Sequence, residues 1–254
     1  MFVKGYFEYG TMPRRLILTD FVFMIPPCKQ AILFDFGGTL DSNGIHWPER
    51  FYSLYREEVT SLERDQFDRA FYDSDDHLHE RHTLEGLNLE ETVLLQCADT
   101  ANSLGISKEI SIRVAKKFAL ESRDSFRLHR PMLQRLSKRF GLGIVSNFYG
   151  NLQSILEREG LADLFGAVAD STVVGTIKPD PKIFAAAYEP LGVTAENCWM
   201  IGDSVARDMR GAADLGMRLG FMRGTRSPEA LEGIEAICLD SLADLERAVE
   251  VASV

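Results

Sequence analysis

Four short segments carry side chains of chemical interest at the ends of apolar runs. In ILFDFGGTLD (residues 32 to 41) the run stops at Asp35, turns through Gly37-Gly38 and meets a hydroxyl at Thr39. LGIVSN (142 to 147) ends on Ser146-Asn147, and CWMIGD (198 to 203) ends on Asp203. Lys178 stands before Pro179-Asp180-Pro181, where Asp180 suits a helix N-cap and Pro181 the first helical position. Open α/β sheets bind ligands outside the carboxyl ends of their strands. If these runs are strands of one such sheet, two carboxylates, a hydroxyl and an ammonium converge on one small volume. Those types suit a polar catalytic or ligand-binding site.

Each residue also has a plainer explanation. Asp203 would cap a helix beginning near Val205, and Asp208 would pair with Arg207 or Arg210 on a solvated face. Ser146 would be a turn hydroxyl and Lys178 an exposed loop lysine. Any one of these suffices for its residue alone. The four segments in this order, at one sheet edge, argue for a site.

The elements that would position them follow from periodicity. AILFDF (31 to 36), LGIVSN (142 to 147), GAVAD (166 to 170), CWMIGD (198 to 203) and RLGFM (218 to 222) are short, nearly continuous apolar runs, with AICLD (236 to 240) as a weaker sixth. Such runs, bounded by Gly, Asp, Asn or Ser, are expected of strands covered on both faces. Helical patterns lie between them, in PMLQRLSKRF, NLQSILEREG, PKIFAAAYEPLG, VARDMRGAADLG and SLADLERAVEVA. Alternation of this kind predicts an α/β fold with a doubly wound parallel sheet. One interval breaks it: between the first two strands lie roughly a hundred residues without a convincing strand, too many for one crossover. Residues 47–60, 62–79, 88–104 and 107–127 carry apolar positions at helical spacing, which predicts a four-helix insert. The expected division is an extension over 1–28, an α/β core over 29–44 and 130–254, and the insert over 45–129. The stretch RDSFRLHRP (123 to 131) would be the hinge, with Pro131 opening the next helix.

Composition narrows the function classes. The chain has 254 residues, 45% hydrophobic and 26% charged, enough for a sizeable core. A net charge of -10 argues against a nucleic-acid binder, which needs clustered Lys and Arg, but not against a small phosphorylated ligand in a locally positive site. Cys28, Cys97, Cys198 and Cys238 form no CxxC pair, so neither zinc nor a disulfide framework is expected, and a reducing cytoplasm is the default. Arg14-Arg15 and LILTDFVFMI (16 to 25) copy the start of a signal peptide. Asp20 breaks the apolar run, which is too short for a bilayer and leads into Pro26-Pro27, so an added strand or upstream extension is expected and no membrane association. Oligomeric state is not encoded legibly.

With these segments in hand, the sequence resembles the haloacid dehalogenase (HAD) superfamily, over roughly residues 30 to 225. The matching motifs are Asp35-Phe36-Gly37-Gly38-Thr39, Ser146-Asn147, Lys178-Pro179-Asp180-Pro181, and Gly202-Asp203 with Asp208. The resemblance implies a Rossmann-like core, a small helical (C1-type) cap formed by the insert, and magnesium-dependent hydrolysis of a small phosphorylated metabolite. Asp35 would be the nucleophile, forming an aspartyl-phosphate. Mg²⁺ would be held by Asp35, Asp203 and the Gly37 carbonyl, screening the carboxylate from the phosphate. Ser146 and Lys178 would hold phosphoryl oxygens. Gly38, Thr39 and Asn147 would complete the phosphate-binding loop, and Asp208 would orient the lysine or a metal-bound water.

One position departs from that family pattern. Most HAD phosphatases carry a second Asp two residues after the nucleophile, which protonates the leaving oxygen and then activates water. Here it is Gly37. Positioned acid–base groups are worth about 10²–10⁴-fold in rate. Three explanations remain open. The first is a phosphatase whose substrate has a good leaving group or whose acid comes from the cap, where Asp73, Asp75, Asp76, His77, His79, Glu80 and His82 form one polar run whose plain reading is a solvated helix face. The second is dehalogenase or phosphonatase chemistry, although dehalogenases usually lack the Asp203–Asp208 pair. Phosphonatases need a cap lysine, and none lies between Ile45 and Ser107. The third is a non-catalytic phosphometabolite-binding protein.

Overall fold

The computed structural model describes residues 29–227, 231 and 233–251. Six parallel strands form one sheet: β1 (Ala31–Phe34), β2 (Gly141–Ser146), β3 (Ala167–Asp170), β4 (Cys198–Gly202), β5 (Arg218–Met222) and β6 (Ile237–Leu239), in the order β3-β2-β1-β4-β5-β6. This is the expected doubly wound α/β fold. β1 is fully buried and central. Its alternate residues feed two cores, Ile32 and Phe34 on one face and Ala31 and Leu33 on the other, because helices cover both sides. Strand order reverses at β1, which lies between β2 and β4. Phe34 is in register with Ile144 and with Ile201, so the residues that follow, Asp35, Ser146 and Asp203, leave the sheet at nearly one level.

The long interval after β1 is helical. α1 (Trp47–Glu58), α2 (Arg64–Arg81), α3 (Leu89–Leu104) and α4 (Lys108–Leu136) pack through Phe51, Tyr55, Phe67, Phe71 and Phe118. Asn88 and Glu91 form a capping box at the start of α3, and Gly105 ends it in the left-handed region at φ 66°. The expected break near residues 123–131 is not there. α4 runs unbroken for 29 residues, and Pro131 lies inside it with its ring exposed to solvent. The exposed position lets water pair the carbonyl that Pro131 cannot, while Phe126, His129, Met132 and Leu133 on the buried face keep the helix continuous.

The remaining helices are α5 (Leu152–Arg158), α6 (Ser171–Val174), α7 (Pro181–Tyr188), α8 (Arg210–Asp214) and α9 (Leu245–Val251). α7 opens as expected, with Asp180 accepting from Lys182 N at 2.8 Å and Pro181 in its first turn. The segment 1–28, with LILTDFVFMI and Cys28, lies outside the described residues. Among those described, no helix is long and apolar enough to cross a membrane.

Candidate active site

The loop after β1 is built around two carboxylates. Asp35 donates its backbone N–H to Ile201 O at 2.8 Å, which fixes it at the strand edge, and its Oδ1 accepts from Phe36 N at 2.8 Å. Gly38 has φ 85°, and a Cβ there would stand 2.2 Å from Asp203 Oδ2, so only glycine lets the loop approach that carboxylate. The loop's far end is held by Asp41, which is wholly buried. Its Oδ1 accepts from Gly38 N at 2.7 Å. Its Oδ2 accepts from Trp47 Nε1 at 2.8 Å and Arg50 Nη1 at 2.7 Å. Arg50 in turn lies over the Phe118 ring at 3.8 Å and donates to Ser122 Oγ at 3.0 Å. Asp41 thus ties the loop to α1 and α4.

Lys178 is the centre of the site and is buried rather than an exposed loop lysine. Its Nζ donates to Asp35 Oδ1 at 2.8 Å, Val145 O at 2.9 Å and Asp208 Oδ1 at 2.6 Å. Burial works against the ammonium, but the charges of Asp208 and Asp35 outweigh it and hold its pKa above the ordinary lysine value. Asp208 pairs with this lysine, not with Arg207 or Arg210, and its Oδ2 accepts from Ser204 N at 2.9 Å. Burial is the main force raising its pKa; the Lys178 ammonium opposes it, and the Asp35 and Asp203 charges add to it. Asn147 spends its amide on the lysine's backbone, accepting from Lys178 N at 2.7 Å and donating to Lys178 O at 3.3 Å. The helix-capping alternative for Asp203 fails, because Ser204 does that work by accepting from Arg207 N at 3.2 Å.

Asp35, Asp203 and Asp208 bring carboxylate oxygens within 4.8 Å of one another, all buried. Burial pushes the Asp203 carboxyl above its usual range, opposed by His46 and reinforced by the Asp35 charge. Asp203 Oδ2 is buried and meets His46 Nδ1 at 2.5 Å. Thr39 Oγ1 is buried and has no hydrogen-bond partner among the described residues. One ammonium among three buried carboxylates leaves an excess of negative charge at one point, which suits a hard divalent cation with oxygen ligands. The residues present therefore fit magnesium.

A cavity of about 260 Å³ opens over this cluster, lined among others by Asp35, Ser146, Lys178, Asp203, Asp75 and Arg207. Sequence reasoning missed three members of this neighbourhood. Asp41 gave a signal only as a second carboxylate after the glycines, and His46 and Arg207 gave none. Of the polar run from 73 to 82, Asp75 alone lines the cavity, whereas Asp73, Asp76, His79 and Glu80 are exposed as expected of a solvated face. Trp47 packs its indole over Gly37, and a Cβ on residue 37 would meet its Nε1 at 2.9 Å.

A parallel sheet with this strand-edge cluster of Asp35, Lys178, Asp203 and Asp208 agrees with the family that the motifs implied. A model of the haloacid dehalogenase-like hydrolase family matches residues 29–216, and the chain belongs to that family. It is 41% identical over 91 residues to the bovine haloacid dehalogenase-like hydrolase domain-containing protein 3, covering 36% of this chain and 35% of that protein. It is 40% identical over 93 residues to a phosphoserine phosphatase of Thermus thermophilus, covering 35% and 37%. The matched stretches thus span little more than a third of these relatives' lengths. The HAD-hydrolase YfnB from Bacillus subtilis, solved with magnesium bound, superposes with a TM-score of 0.53 at 18% identity, covering 87% of this chain and 98% of that one. At that identity the likeness is one of fold.

Proposed function

We propose that this hydrolase is a magnesium-dependent phosphatase of a small phosphorylated metabolite, with helices α1–α3 and the first part of α4 serving as its cap. The observation that carries the reading is Lys178 Nζ, bonded at once to Asp35 and Asp208 beside the buried Asp203 carboxylate. A carboxylate nucleophile, an ammonium and a cation site held together are what attack on a phosphate dianion requires. The phosphatase names among the relatives agree with it.

In this reading Asp35 attacks phosphorus, the bond to the leaving oxygen breaks, and that oxygen takes its proton from water to leave as the alcohol. Water then attacks the phosphorus of the aspartyl-phosphate and regenerates Asp35. Ser146 and Lys178 hold the non-bridging oxygens as charge builds. Gly38 and Thr39 shape the cradle, Asn147 fixes the lysine's backbone, and Asp208 holds its ammonium in place. Asp35, Asp203 and the Gly37 carbonyl would hold Mg²⁺, which neutralises charge between nucleophile and substrate. No side chain stands at residue 37 to handle the proton, and Trp47 fills that space. That observation keeps a second reading in view: a slow or non-catalytic phosphometabolite binder of the same site.

Calorimetry with Mg²⁺ on wild type and Asp203→Asn tests the metal site without relying on turnover, and loss of binding in the variant is expected. A screen of phosphate esters with Mg²⁺ tests the activity. Steady turnover abolished by Asp35→Asn supports the phosphatase, while ligand binding without turnover supports the binder.

A further inference from the structure

Four charged side chains line the cavity beyond those assigned to metal and phosphate: His46, Glu49, Asp75 and Arg207. Two are already engaged. His46 lies between Asp203 and Arg226, whose Nη1 is 2.7 Å from its Nε2. Glu49 takes two hydrogen bonds of 2.7 Å from Arg64. Asp75 differs. Its Oδ1 accepts from Gln96 Nε2 on α3 at 3.0 Å and from the hydroxyl of Tyr149, in the loop that follows Ser146. Its second oxygen carries no hydrogen bond among the described residues.

Resting on the phosphatase reading, we propose that Asp75 is the residue that selects the substrate, accepting a hydrogen bond from a hydroxyl or ammonium on the organic part of the phosphate ester. Tyr149 and Gln96 pin one oxygen, so the carboxylate is oriented before any substrate arrives and loses little freedom on binding. Burial raises the Asp75 pKa, against the hydrogen bond from Tyr149 and the positive charge of Arg207. A half-buried carboxylate with one oxygen free of protein partners gains a partner from a substrate donor and loses its water to an alkyl chain, which is the basis of discrimination. The cavity of about 260 Å³ has room for an organic part of modest size beside the phosphate. The substrate class is therefore a small polyol or amino-alcohol phosphate.

Asp75→Asn is the informative variant. Tyr149 and Gln96 still hold the amide oxygen, so the –NH₂ replaces the free oxygen and turns an acceptor into a donor. The measurement is kcat/KM for glycerol 3-phosphate, phosphoethanolamine and propyl phosphate, which share a poor leaving group while only the first two carry a donor. Wild type should favour the donor-bearing esters, and the variant should lose about 10- to 100-fold of that preference, as for a charge-assisted hydrogen bond. The ratio of two substrates on one preparation is independent of the fraction folded. The larger loss, on phosphoethanolamine or on glycerol 3-phosphate, tells ammonium from hydroxyl. An unchanged ratio, or an equal fall for propyl phosphate as expected of a proton donor, overturns the proposal. Failure of wild type on all three and on para-nitrophenyl phosphate would instead remove the phosphatase reading itself.

Discussion

Trp47 occupies the space that a side chain at Gly37 would need. Its indole Nε1 lies 2.9 Å from where a Cβ on residue 37 would stand, and the ring is boxed in by Phe51, Phe118 and Phe148. Gly37 itself has φ -73°, which any residue adopts, so the indole and not the backbone is what requires glycine. Gly37→Ala should cost about 1–3 kcal/mol, the range for an overpacked site. In a Trp47→Leu background that cost should shrink by about 1 kcal/mol or more, a coupling expected of residues in contact. Urea unfolding of the four proteins measures it.

Asp41 and Arg50 form a buried ion pair between the loop after β1 and α1. Arg50→Met should destabilise by about 3–5 kcal/mol, because it leaves a buried carboxylate without its cation. Asp41→Asn combined with Arg50→Met should recover much of that loss, since no charge then remains. Thermal unfolding enthalpies and midpoints for the single and double variants decide the matter.

Lys178 sits between three acceptors at 2.6–2.9 Å, a spacing suited to a compact ammonium. Lys178→Met should lower turnover by about 10²–10³-fold, as when a donor to a developing oxyanion is removed. Lys178→Arg should not restore it, since a planar fork cannot reach the same three positions. Steady-state kinetics with Mg²⁺, on variants whose circular dichroism matches wild type, provides the check.

His129 is buried on α4, with Nδ1 2.9 Å from Leu40 O, and burial holds its pKa below the ordinary 6.5 despite that contact and the Asp41 charge. The unfolded chain therefore binds a proton that the folded chain refuses. Stability should be fully present above the ordinary histidine value and fall as the pH drops from there toward the folded pKa. His129→Gln should flatten that part of the profile, measured as the urea midpoint from pH 7.5 down to about 5.5.

The sheet was legible because its strands are short apolar runs ending on polar residues, and all six appear within a few residues of their expected bounds. The convergence of Asp35, Ser146 and Asp203 was legible for the same reason, since a parallel sheet delivers every strand end to one edge, and Lys178 was marked by the helix start at Asp180-Pro181. Pro131 misled because proline usually starts or breaks a helix, whereas here its exposed ring sits outside the packing that holds α4 together. The partners of Asp41 come from α1 and α4, as far away in sequence as Ser122, and no local pattern announces a buried ion pair of that kind. Asp75 was hidden in a run of acids and histidines. Only the three-dimensional approach of Tyr149 and Gln96 separates it from its exposed neighbours.

The most direct test of the central claim is a turnover experiment in heavy-oxygen water with Mg²⁺ and a phosphate ester, followed by mass spectrometry of the phosphate and of the peptide that carries Asp35. Water attack at the phosphorus of an aspartyl-phosphate places the label in released phosphate and leaves the Asp35 carboxylate unlabelled, and Asp35→Asn should release none. Label accumulating in Asp35, as hydrolysis of an alkyl ester on that carboxylate would produce, or phosphate release that survives Asp35→Asn, would contradict the account.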